Sequence, residues 1–132
     1  MKIVPVKGVV LRYSDFKEAD RMLTILTPDK GKVQVLARGC RKQKSRFLSA
    51  SELFSYCDYM LLKYRDIYIM TGADIIDLFF DIRTDLDKFA YGTYILNLAE
   101  ISANPEEGSY PLFYLLLYSL TMLAYSNTKG DN

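Results

Sequence analysis

Along the first seventy residues the apolar positions recur in short runs with a period of two, broken by turn-forming residues, which is the pattern of β-strands. Residues 4–13 are rich in β-branched side chains, and Gly8 among them predicts a bulge or sharp bend. Residues 22–27 set Leu23, Ile25 and Thr27 against Met22, Thr24 and Leu26, then stop at the turn sequence Thr27-Pro28-Asp29-Lys30-Gly31. Val33, Val35 and Ala37 share one face of the next run, 32–38, so the two runs read as a hairpin. Residues 53–63 and 67–71 follow, with Tyr64-Arg65-Asp66 as the turn between them. Five short strands fit a small antiparallel barrel of the OB type, whereas a sandwich needs about seven or more.

Near residue 75 the period changes. Ile82, Leu86, Phe89, Ala90, Thr93 and Tyr94 recur at three- and four-residue steps, predicting an amphipathic helix over about 84–102, with Asp85 and Asp87 at its positive end. Asn104-Pro105-Glu106-Glu107-Gly108 breaks it. A second helix starts at Ser109 or Tyr110, with Pro111 early, and runs to about Ser126. Residues 108–128 carry no charge, and leucines surround this helix on all sides, so it reads as a core helix whose remaining cover is missing here, supplied either by a partner or by the rest of a longer chain. Its apolar stretch is shorter than the roughly twenty residues that span a bilayer. The expected fold is therefore α+β: a five-stranded antiparallel OB-fold barrel over 1–80, then an incomplete helical domain of two helices over 81–132.

Composition removes several chemistries. The 132 residues include no His, which excludes histidine-based nucleophile activation and histidine-ligated zinc. Cys40 and Cys57 form no CxxC pair and cannot close a four-thiolate site, so no metal or cofactor is expected. Free thiols and the absence of an uninterrupted apolar leader, given Lys7 and Arg12, suggest a reducing cytoplasmic setting.

The near-neutral formal charge of +1 conceals a polarity. Residues 1–50 hold twelve Lys and Arg against four acids, a net of +8, while 51–132 hold five against twelve, a net of −7. Such asymmetry points to a polyanion-binding face. Its centre is Arg38-Gly39-Cys40-Arg41-Lys42-Gln43-Lys44-Ser45-Arg46-Phe47, where Arg38, Arg41, Lys42, Lys44 and Arg46 come without an acid. Cations at this spacing suit the repeating phosphates of a nucleic-acid backbone. Gln43 and Ser45 can add neutral hydrogen bonds, and Phe47 is the candidate base-stacking residue. Two weaker candidates for chemistry are Cys40, whose basic surroundings favour a thiolate, and the series Asp74, Asp77, Asp81 and Asp85, whose steps could align carboxylates along a helix for Mg²⁺-dependent cleavage. A solvated acidic face is the simpler reading of the latter, since no companion base or phosphate loop is present.

Gly8-Val9-Val10-Leu11-Arg12, Asp15-Phe16-Lys17-Glu18-Ala19-Asp20-Arg21, Leu26-Thr27-Pro28-Asp29-Lys30-Gly31-Lys32, Ala37-Arg38-Gly39-Cys40-Arg41-Lys42 with Lys44-Ser45-Arg46-Phe47, and Arg83-Thr84-Asp85-Leu86-Asp87-Lys88-Phe89-Ala90-Tyr91 together resemble the RecO family of recombination mediators. The resemblance runs in order from about residue 6 to 125. It implies an N-terminal OB-fold, no bond-breaking catalysis, binding of single- and double-stranded DNA, strand annealing, RecA loading in the RecF pathway, and RecR and SSB as partners. It assigns Arg38, Arg41, Lys42, Lys44 and Arg46 to the basic DNA-binding loop, with Arg12, Arg21, Lys30 and Lys32 extending the patch. In the family the helical domain continues for about another hundred residues and in many members carries a cysteine zinc site. In this chain the matched motifs stop after the second helix, so zinc binding, the SSB contact and part of the RecR contact depend on a region outside the motifs matched here. The rival reading is an interaction module that docks a partner through the apolar helix of residues 111–125, without DNA binding of its own.

Overall fold

A computed structural model describes residues 2–126. Five strands, β1 (Ile3–Phe16), β2 (Asp20–Thr27), β3 (Gly31–Ala37), β4 (Tyr56–Tyr64) and β5 (Ile67–Asp77), close into a barrel in the order β1-β2-β3-β5-β4. Four of the neighbouring pairs are antiparallel, as expected, but β3 and β5 run parallel, with Val35 opposite Tyr68 and Leu36 opposite Ile69. Strand direction cannot alternate all the way round a ring with an odd number of strands. One parallel seam is the minimum.

Strand β1 serves two neighbours, pairing with β4 through its first half and with β2 through its second. The bulge expected at Gly8 lies instead between Val10 and Arg12. It lets Val10 and Tyr13 both face the barrel interior while Leu11 turns toward the helices. β5 continues to Asp77, beyond the expected end at residue 71, because β4 pairs with it along its length. β4 starts at Tyr56 rather than at residue 53. The preceding residues form a 3-10 turn at Ser49–Ser51, and Phe54 adopts a left-handed φ of 74° that no strand accommodates. That segment plugs one end of the barrel: Ala50 is buried, and its carbonyl accepts a 2.7 Å hydrogen bond from the buried hydroxyl of Tyr59.

Three helices follow: the short α1 (Phe80–Thr84), which the sequence pattern does not announce, α2 (Leu86–Ser102) and α3 (Tyr110–Ala124). Asp85 caps α2 by accepting from the Lys88 backbone N–H at 3.1 Å, and Ser109 caps α3 by accepting from Leu112 N–H at 3.2 Å. The side of α2 that is buried is not the one its large apolar residues predict. Lys88, Gly92, Leu96 and Ala99 face inward, whereas Leu86, Tyr91 and Tyr94 are more than 60% exposed. Gly92 explains the choice, since a Cβ there would stand 2.7 Å from the Phe54 ring and 2.8 Å from Ile82 Cγ2. A second core joins these helices to the outside of the barrel, with Val9, Leu11 and Leu26 meeting Leu96, Phe113 and Leu120. α3 buries only Phe113, Leu116, Leu120 and Ala124. Leu112, Leu117 and Leu123 are partly covered, while Tyr110, Tyr114, Leu115, Tyr118 and Met122 are exposed, so the helix lacks part of its cover, as its sequence suggests.

Candidate nucleic-acid interface

Residues 38–48 leave β3 and fold as a chain of tight turns, with Lys42 N–H donating to the Gly39 carbonyl, Ser45 N–H to the Lys42 carbonyl and Leu48 N–H to the Ser45 carbonyl. Gly39 starts the series at a φ of 67°, where a side chain is disfavoured. The loop is pinned to the β1–β2 turn twice. Gly39 N–H donates to Asp20 Oδ1 at 2.7 Å, and Arg41 N–H donates to the Ala19 carbonyl at 2.9 Å. Backbone anchoring of this kind holds the loop's shape and leaves its side chains free to meet a ligand.

Arg38, Gly39, Lys42, Lys44, Ser45, Arg46 and Phe47 line one shallow depression of about 400 Å³. Arg38, Lys42 and Lys44 are exposed and make no side-chain hydrogen bond or ion pair among the described residues. Arg46 donates to the Thr71 carbonyl at 3.3 Å, and its guanidinium lies 4.8 Å from the centre of the Phe47 ring. Phe47 itself is half-buried against the barrel core, so the planar group presented outward is the guanidinium on top of it. Ser45 Oγ accepts from Phe47 N–H at 3.0 Å. Arg41 points to the rim, 3.6 Å from Asp15 and donating to the Lys17 carbonyl at 3.5 Å. The β1–β2 turn also brings Lys17 and the 40%-exposed Phe16 to this end of the barrel. Lys17 does not stand out in sequence, where the local pattern is a mixed-charge turn, and Phe16 reads there as one of several aromatics near the basic segment that fit the core.

The other four bases named from sequence lie elsewhere. Arg21 is a structural residue: its side chain is only 12% exposed, stacks 3.9 Å above Tyr13, and is held by Asp15, Glu52 and the Ser51 carbonyl. Arg12 reaches α2 and binds Glu100 through two nitrogens, at 2.8 to 3.2 Å. The pairing raises the Arg12 pKa and lowers that of Glu100, chiefly through the hydrogen bond in each case. Lys32 donates to the Glu100 carbonyl at 3.0 Å. Lys30, half-buried in the β2–β3 turn, sits at the other end of β2 from the loop, roughly 25 Å away at strand spacing.

Cys40 does not bear out the thiolate reading. It is fully buried, and burial pushes its pKa up against the opposing influence of Ser51 and Arg21. The acidic series is dispersed: Asp74 and Asp77 lie on β5, Asp81 on α1, and Asp85 caps α2. Among the described residues no cluster of three or more metal-ligating side chains exists, and no helix is long and apolar enough to cross a membrane.

A closed five-stranded barrel with a basic turn-rich loop at one end and helices packed on its side defines an OB-fold protein with a polyanion-compatible surface. The family model described as "Recombination protein O N terminal" matches residues 1–79, and the chain belongs to the RecO family. It is 34% identical over 123 residues to the DNA repair protein RecO of Caldicellulosiruptor bescii, covering 93% of this chain and 50% of that protein. The corresponding protein of Acetivibrio thermocellus is 32% identical over 124 residues, covering 94% and 49%, and that of Symbiobacterium thermophilum 33% over 120 residues, covering 91% and 47%. The chain thus spans about half the length of the curated relatives it matches.

Proposed function

We propose that this chain binds single- and double-stranded DNA without sequence preference through loop 38–48, and that it serves DNA repair as a recombination mediator that anneals strands and assists RecA loading in the RecF pathway. The observation that carries the reading is the set Arg38, Lys42 and Lys44, without side-chain partners among the described residues, beside Arg46 around one depression with no acid in its lining. Four cations on a rigid loop neutralise phosphates at little ordering cost. Neutralisation lowers the repulsion between two strands, so complementary segments pair without nucleotide hydrolysis. Cations that contact phosphates carry no sequence information, which is the basis for binding without sequence preference. RecR and SSB are the proposed partners.

Fluorescence anisotropy of labelled oligonucleotides over a salt series tests this. Four phosphate contacts give a log–log slope of about −2.8 on single strands. Lys42→Glu with Lys44→Glu should weaken every sequence alike. A slope near zero, or an unchanged affinity in the folded double variant, overturns the proposal.

A further inference from the structure

At the loop end of the barrel three aromatic rings lie near the basic side chains, and two of them are covered. Tyr13 sits under the Arg21 guanidinium at 3.9 Å and Phe47 under that of Arg46 at 4.8 Å, and both pack against the barrel core. Phe16 differs: it is 40% exposed at the end of β1 and belongs to neither hydrophobic core. The Lys17 ammonium stands 5.6 Å from its ring centre, on an exposed side chain with no ion pair among the described residues. Such a flexible stem swings aside at little cost.

The β1–β2 turn fixes this ring beside the basic loop. Phe16 pairs across the ladder with Asp20, whose carboxylate accepts from Gly39 N–H at 2.7 Å. The Ala19 and Lys17 carbonyls accept from the Arg41 backbone and guanidinium at 2.9 and 3.5 Å, so turn and loop form one body. Charge divides the two parts. Residues 38–47 hold five cations and no acid, whereas the turn sets Asp15, Glu18 and Asp20 against Lys17. Phosphates are drawn to the loop and repelled by the turn, while a neutral base meets no such repulsion there.

We infer that Phe16, in place of the covered Phe47, is the base-stacking residue of this interface: a single strand lays its phosphates along the loop and rests an unpaired base on the Phe16 ring. Every base has a π-face, so the contact adds affinity without reading sequence. Bases in a duplex are already stacked on one another and cannot use it. The ring thus gives the site a preference for single strands, an inference that rests on the DNA-binding reading of loop 38–48.

Anisotropy of labelled oligo(dT) and of a duplex of equal length tests it. Phe16→Leu should weaken oligo(dT) binding about fivefold or more, leave the duplex affinity unchanged and keep the salt slope near −2.8, about the value for four phosphate contacts. Phe16→Trp should retain the wild-type affinity, and because the chain has no other tryptophan its emission reports on this position alone. That emission should be quenched on saturation with oligo(dT) and not with duplex. Unchanged oligo(dT) affinity in Phe16→Leu, an equal loss on both DNAs, or tryptophan emission that stays constant while anisotropy shows the strand bound overturns the inference and leaves the DNA-binding reading standing. A wild-type chain that binds neither DNA overturns both.

Discussion

At Lys88 an ammonium group sits 8% exposed in the seam between α2 and α3, donating to the Ala124 carbonyl at 3.0 Å and the Ser126 carbonyl at 2.8 Å. The end of a helix leaves carbonyls unsatisfied, and a cation is the complement of its negative pole. Lys88→Met keeps much of the packing and removes both hydrogen bonds, so urea unfolding should show a loss of about 1.5–3 kcal/mol. Nothing in the sequence flags this residue, because its partners lie more than thirty-five positions away. The same distance problem hides Arg12, whose partner Glu100 is 88 residues on. Glu100 has its pKa lowered in the folded chain, so the stability it contributes is present above the ordinary value of 4.5 and is lost as pH falls through the lower folded value. Glu100→Gln should remove that part of the acid sensitivity, read as a flatter plot of melting temperature against pH in the acid range. The cysteines give the opposite sign. Burial raises Cys57 from 9.0 to about 11 and raises Cys40 as well, so both thiols should resist alkylation in the native chain and react fully in denaturant.

Among the elements, the strands were more legible than the helices. Alternation with a turn sequence located β2 and β3 to within two residues, because a half-buried strand displays its burial directly in its pattern. The short α1 left no such trace in five residues. For α2 the apolar stripe pointed to the wrong side, since close packing against Phe54 and Ile82 demanded the smallest residue, Gly92, on the inside. Gly92→Ala tests that account. Helix propensity alone favours alanine by about 1 kcal/mol, yet the added methyl group meets the Phe54 ring at 2.7 Å. Overpacking of this kind costs about 1–3 kcal/mol and should outweigh the propensity gain. A thermal melt that moves down supports the contact, and one that moves up removes it as the reason for the helix's orientation.

Over the whole molecule, the charge polarity counted along the chain is not the same thing as a charged face. Of the twelve bases in residues 1–50, the fold spends Arg21 on Tyr13 and its acids, Arg12 and Lys32 on Glu100, and Lys7 on Asp58 at 2.8 Å. The loop was legible because five bases without an acid cannot all be locally paired. How Arg12, Arg21 and Lys32 are engaged was not, since pairing across the fold decides it. The two groups make different demands on an experiment. Lys42→Glu with Lys44→Glu should lower the salt slope on single strands from about −2.8 to about −1.4, because two of four released counterions are lost. Arg12→Gln should leave both slope and affinity nearly unchanged while lowering the melting temperature, since its guanidinium is engaged with Glu100 rather than with solvent phosphates. If Arg12→Gln instead lowers the slope by about 0.7, the ion pair opens on DNA, and the binding track extends along β1 toward the helices instead of ending at the loop.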